Sequence, residues 1–146
     1  MMDMIENEKK KEFLNSYLLA KQDVRRLEEQ LEELRDSKIS ISVTYDGMPK
    51  GTGFSDLSEY AAKIDELERE IKDKRYERIQ TFLKVQRAIE GMGDSQEKTL
   101  LTYKYLRGYG WERIATDMGY TYRHITRLHG VALRNFKMSY HVPLEV

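Results

Sequence analysis

Residues 111–130, WERIATDMGYTYRHITRLHG, hold the pattern on which the fold of this chain turns. Ile114 and Met118 stand one helical turn apart and share a face, and Ala115 beside them is small enough for a second helix to cross closely. Gly119 follows, where a chain reversing between two helices takes a positive φ and a Cβ would cost about 1 kcal/mol or more. Tyr120, Ile125 and Leu128 then supply an apolar face beyond the turn. Thr121 is a residue type whose hydroxyl caps a helix N-terminus, so a second helix is expected from there to Lys137.

Thr121 aside, these seven positions match the packing positions of the twenty-residue helix-turn-helix template, which lays its second helix in the major groove of DNA. That helix sorts into two stripes by its period of 3.6 residues. Ile125, Leu128, Ala132, Leu133 and Phe136 form an inner stripe. Arg123, Thr126, Arg127, Gly130 and Arg134 form an outer one, at i, i+3, i+4, i+7 and i+11. The outer stripe carries no acid, so a phosphate would meet no repulsion there. The packing residues alone do not distinguish a DNA reader from a bundle that binds only protein; the outer stripe carries the functional reading.

Upstream, Asp94-x-x-Glu97 has the form of a capping box ahead of a short apolar helix over 95–107, closed by Gly108 and Gly110. With the pair that follows, this makes a tri-helical unit, so a helix-turn-helix domain is expected over 94–146. Trp111 reads as a core anchor at the start of its helix.

The first ninety residues have a different rhythm. Phe13, Tyr17, Ala20, Val24, Leu27, Leu31 and Leu34 recur at alternating spacings of four and three, one seam on a helix from about 7 to 36, roughly 45 Å long. Leu57, Tyr60, Ile64, Leu67 and Ile71 continue such a seam on a second helix starting at Ser55 or Asp56, where Asp56-x-x-Glu59 repeats the capping signature. Ile79, Phe82, Leu83, Val85 and Ile89 carry it to Gly91. Between them, residues 37–55 alternate Ile39, Ile41, Val43 and Tyr45 with polar residues before a Gly/Pro-rich turn. With no second strand to pair with, this reads as an ordered linker rather than an edge strand. Residues 1–93 are thus expected to form two long amphipathic helices, an association region, and a boundary is expected at Gly91 to Asp94. Heptads specify association without saying whose helix is the partner, so an intramolecular hairpin and a coiled coil between two chains are both open.

Composition agrees with an all-α chain: 34% of its 146 residues are charged and only 2 are Pro. Net charge is zero, but residues 1–93 carry 17 basic and 20 acidic side chains while 94–146 carry 8 and 5, so the mean hides a basic end. The absence of Cys excludes disulfides, thiolate zinc sites and Cys nucleophiles. His124, His129 and His141 do not have zinc spacing; His124 fits a phosphate donor and His129 a place beside the inner stripe. GMPKGTG contains Lys50 but lacks the order of a phosphate-binding loop. The paired carboxylates lie among Lys and Arg on helical polar faces, where ion pairs one turn apart explain them. No nucleophile and base stand together, so neither an enzyme nor a cofactor or metal is expected. No apolar run spans a membrane, and MMDMIENEKKKEF lacks a secretory core, so an intracellular location is expected, with bacterial cytoplasm and host cytosol not separated.

The segment LRGYGWERIATDMGYTYRHITRLHGVALRNF resembles the C-terminal helix-turn-helix of sigma-70 region 4 and, more closely, the sigma-like transcriptional regulators of Gram-positive phages and prophages, the RinA/ArpU-type late activators and related phage proteins. YDGMPKGTGFSDLSEYAAKIDELEREI is similar to the linker and second helix of those proteins. The resemblance implies promoter binding, with double-stranded DNA as partner and RNA polymerase or a second copy of the chain as further ones. It implies DNA contacts at Tyr122, Arg123, Thr126 and Arg127; Thr121, His124, Arg134 and Lys137 complete the expected surface. The other sigma regions have no counterpart in the first ninety residues, which implies an auxiliary regulator rather than a sigma factor. A DNA-packaging subunit of the small-terminase kind, and a structural helical adaptor that binds no DNA, are the alternatives.

Overall fold

The computed structural model describes the backbone of residues 2–44 and 53–138, and the side chains of 4–37 and 57–138. The chain is all-helical, with no strand among the described residues: α1 (Met2–Thr44), α2 (Gly53–Glu90), α3 (Ser95–Leu101), a π-helical turn (Thr102–Leu106), α4 (Trp111–Met118) and α5 (Tyr122–Asn135).

Both long helices exceed their expected bounds. Ser37 to Thr44, read from sequence as linker, continues α1, and α2 begins at Gly53 rather than at Ser55 or Asp56. The β-branched residues at Ile39, Ile41 and Val43 disfavour helix by only about 0.5 kcal/mol each, and extending an existing helix avoids the cost of nucleation. The period-two alternation is therefore a weaker signal than the helix it adjoins. Residues 45–52, with Lys50 and the turn expected there, lie outside the described residues, as do the side chain of Asp56 and all of His141.

Two compact units share these helices. One comprises residues 1–20 with 78–146, the other residues 21–77. The boundary expected at Gly91 to Asp94 falls inside the first unit, where the chain turns on hydrogen bonds from Gly91 N–H to Arg87 O (3.1 Å) and Met92 N–H to Ile89 O (3.0 Å). Met92 itself is buried there. Leu14, Val85, Ala88 and Ile89 share one core with Leu100, Leu101, Ile114, Ile125, Leu133 and Phe136. Phe13 stacks on Phe136 with ring centroids 6.1 Å apart, and Tyr17 meets Phe82 edge-on at 5.1 Å. Phe13 and Tyr17, read as the start of a heptad seam, thus serve the core around α3 to α5.

In the second unit α1 and α2 run antiparallel. Leu27, Leu31, Leu67 and Ile71 are its buried residues, with Leu34 and Ile64 packed against them. Arg75 reaches Glu28 at 3.0 Å and Arg35 reaches Glu68 at 2.8 Å. Both pairs are about half exposed, each worth about 0.2–1 kcal/mol, and their matched offset marks the antiparallel register. One seam residue departs from expectation: Ile79 is 55% exposed. Seven residues after Ile71 the seam falls on Arg78, which is half-buried, and Ile79 stands about 100° further round the helix.

Candidate nucleic-acid interface

Local chemistry sets α3, α4 and α5 in place. Asp94 has extended backbone and accepts from the Glu97 N–H at 2.9 Å, capping α3. The reciprocal half of the expected capping box does not form. Glu97 is buried at 5% exposure and accepts instead from Asn135 Nδ2 on α5, because a buried carboxylate needs a donor where water cannot reach. After α3 the helix widens: Arg107 N–H bonds to Thr102 O at 3.0 Å, five residues back. Gly108, at φ 71°, then lets Tyr109 N–H return to Tyr103 O, also at 3.0 Å.

The turn between α4 and α5 has the form read from the sequence. Gly119 takes φ 73° and ψ 31°, Tyr120 N–H closes on Ala115 O at 2.9 Å, and Thr121 Oγ1 accepts from His124 N–H at 3.1 Å as the N-cap of α5. Nothing lies within 4 Å of a Cβ built on Gly119, so glycine is required there by backbone conformation alone. Gln96 Nε2 donates to the Tyr120 hydroxyl at 2.6 Å, and the Tyr120 ring lies 4.5 Å from that of His124.

Helix α5 ends at Asn135, where Phe136 turns to extended backbone as its C-cap, rather than at the expected Lys137; over its length it divides as its periodicity predicts. Ile125, Ala132, Leu133 and Phe136 are buried and Leu128 is half-buried. Thr121, Tyr122, Arg123, His124, Thr126, Arg127, Gly130, Arg134 and Lys137 are all exposed. Among the described residues none of Arg123, Arg127, Arg134 and Lys137 is ion-paired with an acid, whereas basic residues elsewhere pair repeatedly, Arg113 with Asp117 at 3.7 Å for example. The first turn of α5 has no acidic residue and does have Arg123, against the usual preference for negative charge at a helix N-terminus. A negative charge at that end would have to come from outside the helix.

The far end of α5 is held from α1. Lys10, 6% exposed, donates from Nζ to the Leu133 carbonyl at 2.8 Å, satisfying an acceptor of the last turn with a cation. Of the three consecutive lysines, Lys10 is the one on which the four-three spacing of α1 falls when continued back from Phe13; the spacing gives the face but not the carbonyl that makes a buried cation tolerable there.

His129 lies beside the inner stripe, as expected. Its Nε2 is 2.7 Å from the Tyr105 hydroxyl, and its ring meets Trp111 edge-on at 4.7 Å. Burial, with Lys11 and Lys104 nearby, lowers its pKa to about 4, while burial and Glu8 raise Tyr105 to about 12. A phenol that keeps its proton beside a neutral imidazole donates to Nε2, so this pair is a satisfied core contact. Trp111 is half-buried with Lys104 Nζ 4.4 Å from its ring centroid. Two further cations escaped the sequence reading: Arg113 stacks on Tyr109 at 3.7 Å and Arg107 stands over Tyr103 at 6.0 Å. The run RGYGWER interleaves them with aromatics, the signal that would have found them.

Among the described residues no three His, Cys, Asp or Glu side chains converge as a metal site, and no helix is long and apolar enough to cross a membrane. No protein family, curated protein or solved structure matches the chain.

Proposed function

We propose that this chain is a sequence-specific DNA-binding transcriptional regulator of phage or prophage genes. In this reading α4 and α5 are a helix-turn-helix unit similar to sigma-70 region 4, and α5 enters the major groove. The observation that carries it is the outer face of α5 and the residues just past its end: Arg123, Arg127 and Arg134 on the helix and Lys137 beyond it, exposed and without acidic partners among the described residues, with no acid in the helix's first turn. Tyr122, Arg123, Thr126 and Arg127 stand on the first two turns, the part such a helix sets against base edges. Thr121, His124, Arg134 and Lys137 flank them toward the phosphates.

Four such side chains with nearby helix-end amides engage about 4 to 6 phosphates, a salt slope of roughly −4 to −5 and a non-specific affinity of roughly 10⁻⁴ to 10⁻⁶ M. That is weak for a regulator acting alone. Cooperation with RNA polymerase or a second copy of the chain supplies the remainder, and the antiparallel helices of residues 21–77, read as a coiled coil, are the surface for either.

The test is binding to promoter fragments of the source phage genome at two salt concentrations, for the unaltered protein and for Arg123→Ala with Arg127→Ala. The expected result is tight, salt-sensitive binding that the double substitution reduces at least tenfold. Equal binding by both proteins, or binding by neither, removes the groove assignment.

A further inference from the structure

A helix reads bases only with side chains that match their edges, and the exposed face of α5 offers a narrow set. From Thr121 to Lys137 there is no Asp, Glu or Gln, and the one carboxamide, Asn135, donates to the buried Glu97. Adenine is paired in the major groove by Asn or Gln, and the cytosine amino group by Asp or Glu, so neither has its usual partner here. Thr126 Oγ1 donates to the Arg123 carbonyl at 3.0 Å, which removes its proton from base recognition. Gln96, on α3, has its Nε2 on Tyr120. The multi-donor groups left on the first two turns are the guanidiniums of Arg123 and Arg127, both exposed and neither ion-paired among the described residues.

Guanine presents two adjacent acceptors, O6 and N7, to which a guanidinium donates twice in one plane. Four residues separate Arg123 from Arg127, about 6 Å along the helix, against 3.4 Å per base pair along DNA. Arg134 lies about 10 Å beyond Arg127, past the turns that face the bases. Resting on the major-groove reading above, we propose that α5 is a guanine reader: Arg123 and Arg127 each take one guanine, so the recognised site carries two guanines within about three base pairs. Arg134 and Lys137 hold phosphates and contribute no base preference.

Selection of binding sites from a random duplex library tests this, with the unaltered protein, Arg127→Ala and Arg134→Ala. The expected site of the unaltered protein has two strongly preferred guanines. Arg127→Ala loses the preference at one of them, and Arg134→Ala keeps the site while weakening binding to all sequences alike. In the selected duplex, 7-deazaguanine at either position deletes the N7 acceptor but keeps O6, and is expected to weaken binding several-fold, below the roughly 5- to 150-fold of a whole bidentate pair. Circular dichroism should show unchanged helix content for both exposed-residue variants. If duplexes bind but the selected site lacks guanines, if Arg127→Ala selects the same site, or if 7-deazaguanine has no effect, the guanine assignment is overturned while DNA binding stands. Failure to bind any duplex overturns both.

Discussion

The two compact units divide the two long helices between them and hold together in different ways. Residues 1–20 with 78–138 gather aromatic and aliphatic side chains from five helices around Phe136, Leu14 and Ile114, all at 0% exposure. Residues 21–77 bury a thin seam, Leu27, Leu31, Leu67 and Ile71, flanked by ion pairs open to water. A side chain contacted from several directions loses more when truncated than one gripped between two helices, because less of the surrounding structure can collapse into the space. The first unit thus stakes more stability on each buried side chain than the second.

The largest expected effect tests that contrast directly. Phe136→Ala should cost about 3–5 kcal/mol and Leu67→Ala about 2–3 kcal/mol. Hydrogen exchange should assign the first loss to residues 78–138 and the second to the helices of residues 21–77. Equal losses, or protection lost everywhere in both variants, would abolish the distinction.

Acid provides the next test, since all three histidines lie outside residues 21–77. His129 has a folded pKa of about 4, below the ordinary value of 6.5. Between those values the unfolded chain binds more protons than the folded one. Its contribution is therefore fully present above about pH 6.5 and is lost as pH falls toward 4. With allowance for its partial solvent contact, the loss is about 2 kcal/mol. Denaturant titrations at pH 7.5 and pH 4.5 should show it, and His129→Gln should flatten the dependence. An unchanged slope in the variant would place the proton elsewhere.

The smallest effect concerns Gly130, on the exposed face of α5. It has no positive φ, and nothing lies within 4 Å of a Cβ built there, so no contact in the protein calls for glycine. Gly130→Ala should raise stability by about 0.5–1 kcal/mol, read as a melting temperature a few degrees higher. Under the proposed function the same methyl stands on the DNA-facing stripe and should weaken duplex binding. A gain in stability with undiminished binding would move the DNA away from the middle of α5.

The site was legible in sequence to the extent that its geometry is local. A positive φ at Gly119, a hydroxyl cap at Thr121 and a split of α5 into buried and exposed stripes all follow from residues within a few positions of one another. Glu97 shows where that stops. Its spacing from Asp94 has the form of a capping box, yet its carboxylate serves Asn135, because packing α3 against α5 buries it and the donor within reach is on another helix. Lys10 shows the same for a charge: its burial against Leu133 depends on a contact between residues 123 positions apart.

By itself the sequence determined that the chain is helical, where α4 turns into α5, and which face of α5 is apolar. These are properties of propensity, φ and a 3.6-residue period, written in neighbouring residues. Only the tertiary structure decided that the start of α1 and the end of α2 join the core around α3 to α5, that Ile79 is exposed while Arg78 takes its place, and in which register the helices of residues 21–77 lie antiparallel. An apolar stripe states that a face must be covered, and the same stripe serves any partner of matching shape. Which partner covers it is settled by distant residues and the register of their packing.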